Sequence, residues 1–132
     1  MGKELLNSDK ELLLKDLCAR LPYGVKCSFG VDDAVYEITG INPTCCGASE
    51  IQATHVKSSI NGDFRLNSCK PYLFPLSSMT EEQKDIFGKL WWNTHGLNMA
   101  MHAIDYLNKN HFDYRGLIEK GLAIDATGLN IY

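Results

Sequence analysis

The sequence has no excess of positive charge, no long apolar run, no clustered glycines and no regular cysteine spacing, and each absence excludes something. Thirteen Lys and Arg stand against 16 Asp and Glu, a formal charge of −3. No net field therefore draws the whole molecule onto a phosphate backbone, and bulk nucleic-acid binding is disfavoured. No apolar stretch approaches the length of a membrane span, and no basic segment followed by an apolar run and a small-residue cleavage site marks a secretory leader. A cytoplasmic protein off the membrane is expected. The 11 glycines are scattered, and none stands in a phosphate-cradling spacing. The five cysteines are odd in number, and in a reducing compartment they are expected as free thiols.

What is present is an ordinary globular composition, 45% hydrophobic and 22% charged over 132 residues. That is enough apolar surface to offset the ordering entropy of one core, so a single domain over residues 1–132 is expected. Ser8-Asp9-Lys10-Glu11 has capping-box spacing, and Leu13, Leu14, Leu17, Cys18 and Leu21 follow at helical intervals. Glu11 with Lys15 and Asp16 with Arg20 make four-residue charge pairs, assigned to the outer face. Pro22 and Gly24 end this helix.

Val25, Cys27 and Phe29 then alternate with polar residues, and residues 35–39 are rich in β-formers, which predicts two strands joined around 30–33. Ile51, Ala53 and His55 alternate likewise, and Asn61-Gly62 predicts the tight turn of a second hairpin. Residues 42–47 between the pairs read as a loop. Lys70–Pro75, with two prolines, is predicted to be a crossover and not a central strand. Thr80 to Gln83 repeats the capping box at the head of a helix reaching about Trp92. Residues 93–96 interrupt the pattern, and Leu97, Ala100, Met101, Ile104 and Leu107 resume it. A short helix over 117–120, stopped by Gly121, and an extended or loose end beyond Ile124 complete the chain. The expected fold is α+β: an antiparallel sheet of three to five strands, covered on one face by an N-terminal helix and C-terminal helices.

Residues able to carry chemistry are few. Cys45 and Cys46 are adjacent, and neighbouring side chains in an extended loop diverge, which suits them poorly to one ion; a site joining one of them to His55 and Cys69 is the metal alternative. Cys18 and Cys27 fall on apolar faces as small hydrophobes. His102 can meet Asp105 on the polar side of the third helix, without a nucleophile nearby. The densest aromatic supply lies in Trp91, Trp92, His95, His111, Phe112, Tyr114 and Arg115. From it Trp92, His95, His111, Tyr114 and Arg115 are the candidate ligand-binding residues, since rings and a guanidinium can stack a base-like ligand. Core packing by a Trp and Phe112 is the competing assignment.

Three stretches, KDLCARLPYGVKC (15–27), KPYLFPLSSMTEEQ (70–83) and DYLNKNHFDYRGLIEKGLAI (105–124), resemble a group of small uncharacterised proteins of gut Bacteroides-type bacteria and of their phages and mobile elements. The resemblance implies a setting, a cytoplasmic accessory protein of a bacterium or phage; it brings no site residue, catalytic residue or cofactor. The functional expectation is a non-enzymatic binding protein, phage-derived, that contacts a host protein or sequesters a small nucleotide-like signal, with no cofactor and no metal. A small hydrolase or transferase using Cys45 or Cys46 with a histidine, and a structural virion component or homo-oligomer, are the alternatives.

Overall fold

The computed structural model describes residues 6–30, 34–42, 51–92 and 97–132. Its elements are α1 (Asn7–Arg20), β1 (Lys26–Ser28), β2 (Tyr36–Ile41), β3 (Ile51–His55), β4 (Asn61–Phe64), β5 (Lys70–Pro75), α2 (Glu81–Trp92), α3 (Leu97–Lys109), β6 (Phe112–Asp113) and β7 (Ile124–Asp125). One sheet runs in the order β4-β3-β2-β1-β5-β6, with β7 also paired to β5. All pairings are antiparallel except those of β5 with β6 and β7, which are parallel. The α+β class is as expected. Among the described residues the sheet has seven strands where three to five were expected, because β6 and β7 are two residues each, too short to leave a periodic pattern.

The core follows from the two periodicities. Leu13 and Leu17 of α1 press on Val25, Cys27 and Phe29 of the first strand segment, on Ile38, Ile51 and Ala53 of β2 and β3, and on Leu73 of β5. Leu66, Cys69, Leu117 and Leu122 close this cluster from the connecting segments. In β2 and β3 the alternation puts Ile38, Ile51 and Ala53 inside and Glu37 and Thr39 in solvent, so α1 covers one face and the other stays polar. After α1 the chain turns at Gly24, whose φ of +68° lets its amide donate to the Leu21 carbonyl at 3.4 Å, a conformation that costs glycine nothing.

Several expectations are corrected. Ser8 does not cap α1: the helix starts at Asn7 after an extended Leu6, with no side-chain cap. Asn61-Gly62 is not the turn but the start of β4; the reversal lies at 56–59, where the Ser59 amide donates to the His55 carbonyl at 2.8 Å. The register pairing Ile51 with Phe64 and Thr54 with Asn61 places Phe64 in a stack on Phe29, with centroids 3.9 Å apart, and that packing outweighs the turn preference of the dipeptide. Residues 117–120 form hydrogen-bonded turns instead of a helix. Their opening is capped by Asp113, whose carboxylate accepts from the amides of Leu117 and Ile118 at 3.0 and 2.9 Å.

The largest correction is β5, a central strand despite its prolines. The Phe74 amide donates to His111 and the Leu73 carbonyl accepts from Ala126, both at 2.8 Å. The Leu73 carbonyl and the Phe74 amide belong to one peptide unit, whose C=O and N–H point to opposite edges of a strand, so β6 and β7 flank β5 on opposite sides. Pro71 and Pro75 share the parity of Leu73, and their missing donors face the β7 edge, where two-residue β7 asks little of them.

The end of the chain is pinned rather than loose. In the register that pairs Cys27 with Pro71 and Ser28 with Lys70, the next pair would be Lys26 with Tyr72. There the Tyr132 hydroxyl intervenes, accepting from the Lys26 amide at 2.9 Å and donating to the Tyr72 carbonyl at 2.8 Å. Tyr132→Phe leaves both backbone groups without that partner and is expected to lower stability by about 1 kcal/mol. Urea denaturation at neutral pH checks this, and an unchanged midpoint would show that the hydroxyl contributes nothing.

Candidate functional site

Asp16 and Arg20 stand one helical turn apart on the stripe of α1 that also carries Leu13 and Leu17, and both are 0% exposed. Their assignment to the outer face is overturned: positions 13, 16, 17 and 20 share one face, and it faces inward. Cys18, expected on the apolar face, is exposed. The Arg20 guanidinium makes a forked pair with Asp16, Nε to Oδ2 at 2.8 Å and Nη2 to Oδ1 at 3.1 Å. It also donates to the carbonyls of Leu107 at the end of α3 and Phe112 of β6. Buried charge is tolerable only when paired and hydrogen-bonded in this way.

Arg115 joins the cluster through Nη1, 3.1 Å from Asp16 Oδ1 and 2.7 Å from the Tyr114 hydroxyl. That hydroxyl donates to Asn108 Oδ1 at 2.9 Å, and the Tyr114 ring lies under both guanidiniums, 5.4 Å from Arg20 and 4.6 Å from Arg115. Tyr114 and Arg115, expected to bind a ligand, are therefore engaged in fixing α1 to α3 and β6.

What the network fixes is His111, the residue between α3 and β6. Its backbone sits at φ +61°, a left-handed conformation uncommon for any residue with a side chain. Its ring is 7% exposed and stacks on Tyr132 with centroids 3.8 Å apart and planes 12° from parallel. Nδ1 is buried with no hydrogen-bond partner among the described residues. Burial, and then the positive charges of Arg20 and Lys26, lower its pKa from 6.5 to about 4, so the ring is neutral at physiological pH. Burial also raises the pKa of the Tyr132 hydroxyl, which stays protonated.

The His111 ring is part of the wall of a cleft of about 420 Å³ that also involves Phe74, Phe112 and Tyr132, together with Ser78, Gln83, Lys109 and Thr127. Gln83 arrives there through the capping box read from the sequence: the Thr80 amide donates to Gln83 Oε1 at 2.9 Å, and the Gln83 amide to Thr80 Oγ1 at 3.1 Å. A second depression of about 500 Å³ is bordered by Val35, His55, Val56 and Ile131, but His55 Nδ1 there already accepts from the Ser58 amide at 3.0 Å.

Of the four expected ligand residues that the structure describes, only His111 lies on the cleft. Trp92 ends α2 with 83% of its surface exposed, and His95 lies outside the described residues, as do Cys45 and Cys46. Among the described residues no group of three His, Cys, Asp or Glu is placed to hold a metal. Cys69 is a core residue beside Cys27, whose thiol is held far above its ordinary range by hydrogen bonding to Cys69 and by burial. His102 and Asp105 are both exposed and form no ion pair. Gln83, Lys109, Thr127 and Tyr132 were missed; only the cap position of Gln83 left a signal. No protein-family model matches the chain, and no match was found among curated proteins or solved structures.

Removing Asp16 leaves the buried Arg20 guanidinium without a carboxylate, so Asp16→Ala is expected to cost about 3–5 kcal/mol in chemical denaturation; a loss below about 1 kcal/mol would remove the pair from its structural role. His111 also generates a pH dependence. Its folded pKa, about 4, lies below its ordinary 6.5, so the unfolded chain binds the extra proton first and this contribution is lost as pH falls from 6.5 toward 4. His111→Asn, which tolerates the left-handed backbone, is expected to flatten the stability-versus-pH profile in that window. An unchanged slope would assign the effect to other groups.

Proposed function

We propose that this protein is a non-enzymatic binding module that takes a small, ring-bearing ligand in the cleft beside His111 and Tyr132. The single observation that carries this is His111 itself: a buried imidazole on a left-handed backbone, with one nitrogen unpartnered, at the wall of an open cleft. Strain and unsatisfied polarity of this kind persist where the surroundings enforce them, and they cluster at ligand sites. The size, about 420 Å³, is within the range that small ligands fill, and aromatic walls with a few polar groups are the usual lining. In support of binding rather than catalysis, no cysteine among the described residues lines the cleft, and the Ser78 hydroxyl donates to the Pro75 carbonyl at 2.7 Å instead of to a base that could activate it.

A protein partner is the second reading, favoured by α2. None of its residues is buried, and Ile86, Trp91 and Trp92 are exposed on it, an apolar display of the sort that marks contact surfaces. A bacterial or phage setting agrees with either reading, and nothing beyond the sequence resemblance supports it.

Thermal denaturation against a panel of nucleosides, nucleotides and aromatic acids tests the cleft. A true ligand at about 100-fold excess over Kd adds roughly 2.7 kcal/mol, a rise of several degrees, and the rise is expected to vanish in His111→Asn. A panel without effect, or a rise that survives this substitution, would count against the cleft. Retention of a protein partner that is lost in Trp91→Ser/Trp92→Ser would favour the second reading.

A further inference from the structure

We infer that the ligand of this cleft is an anion, an oxyanion group attached to a planar ring; the inference rests on the cleft being a ligand site, as proposed above. Among the described residues that line the cleft the one formal charge is the Lys109 ammonium; the neutral groups are of both kinds, since Asn110 commits Nδ2 to the Tyr106 carbonyl at 2.9 Å and Ser78 its hydroxyl proton to Pro75, which leaves their oxygens as acceptors. Gln83 has committed Oε1 to the Thr80 amide, so its amide nitrogen is what remains for a ligand. Lys109 and Thr127 add an ammonium and a hydroxyl, and among the described residues that line the cleft none is acidic.

His111 belongs to the same donor set. A neutral imidazole carries one N–H, and a buried N–H without an acceptor costs more than a buried lone pair without a donor. With Nδ1 enclosed and unpartnered, the proton belongs on Nε2, which makes that nitrogen a donor. Behind the wall stand three cations, Arg20, Arg115 and Lys26, against the carboxylates of Asp16 and Asp113. Asp16 is shared by Arg20 and Arg115, so two guanidiniums face one carboxylate. Lys26 reaches the Ile131 carbonyl at 3.0 Å and sits 5.5 Å from the centre of the Tyr132 ring.

The neighbouring acidic groups are turned to other partners. Asp113 accepts from the amides of Leu117 and Ile118, and Asp125 from the Thr127 amide at 2.9 Å. Glu82 is exposed on α2 and faces Tyr106 of α3, whose pKa burial and then this carboxylate raise. The Lys109 ammonium and the donors beside it select an oxyanion, and the rings of Phe74, Phe112 and Tyr132 supply the flat apolar wall for the remainder of the molecule. A cationic ligand would meet Lys109 and have no counter-charge on the wall.

The test uses the full chain, 15N-labelled, titrated with benzoate, phenyl phosphate, benzamide and benzamidine while the amides of Lys109, His111, Thr127 and Gly128 are followed by NMR. Both anions are expected to shift these amides, to bind about tenfold more tightly than benzamide, and to lose about that factor in Lys109→Gln. Lys109 is exposed, so this variant keeps the fold. The tighter anion distinguishes a carboxylate from a phosphate headgroup. Benzamide binding as well as benzoate with no effect of Lys109→Gln, or benzamidine binding best, would overturn the anion assignment and leave the ligand cleft standing. No shift of these amides by any of the four compounds would overturn both.

Discussion

The forked pair between Asp16 and Arg20 is the constraint on which the arrangement of this molecule depends. Hydrophobic packing brings α1 onto the sheet, but packing alone is non-directional and leaves the helix free to rotate or slide. Burying a guanidinium at 0% exposure removes that freedom, because its donors must meet acceptors at fixed positions. Two of those acceptors are carbonyls 87 and 92 residues away, at Leu107 and Phe112. One side chain thereby holds the end of α3 and the start of β6 against α1, and Arg115 and Tyr114 close the network from the far side of Asp113.

Between those two anchored carbonyls lies His111. The chain must leave α3, reverse and enter β6 within Asn108 to Phe112, and the left-handed backbone of His111 is how it does so. The strain is supported on both sides: the His111 carbonyl accepts from the Phe74 amide, and the ring stacks on Tyr132. Tyr132 is in turn held by its hydroxyl between β1 and β5. The cleft is thus bounded by groups whose positions are set elsewhere, and rigid support of this kind is what ligand recognition requires.

Where local rules decide, the sequence was legible. The alternation of Val25, Cys27 and Phe29 buries all three, Leu13 and Leu17 face the core, and the box at Thr80 and Gln83 forms with both hydrogen bonds. Where a distant partner decides, it was not. Asp16 and Arg20 at a four-residue spacing have the form of a surface ion pair; only the carbonyls of Leu107 and Phe112 make it a buried one. Lys70–Pro75 has the composition of a crossover, and it is a central strand because both prolines face the edge taken by two-residue β7. The candidate site was legible at one residue, His111, picked out by aromatic density. Tyr132 could not be found locally, since its partner Lys26 stands 106 residues away, and Trp92 satisfies composition while projecting into solvent.

The most direct measurement is native-state hydrogen exchange of the Phe74 amide in Arg20→Gln compared with the unaltered protein. That amide is bonded to the His111 carbonyl at 2.8 Å and reports the seating of His111 on the sheet. If the buried guanidinium positions this segment, protection at Phe74 falls much further than at His55, whose amide is bonded to the Ile60 carbonyl at 2.9 Å, in the β3–β4 hairpin at the other end of the strand order from β6. Equal loss at the two amides, or no loss at Phe74, would contradict it.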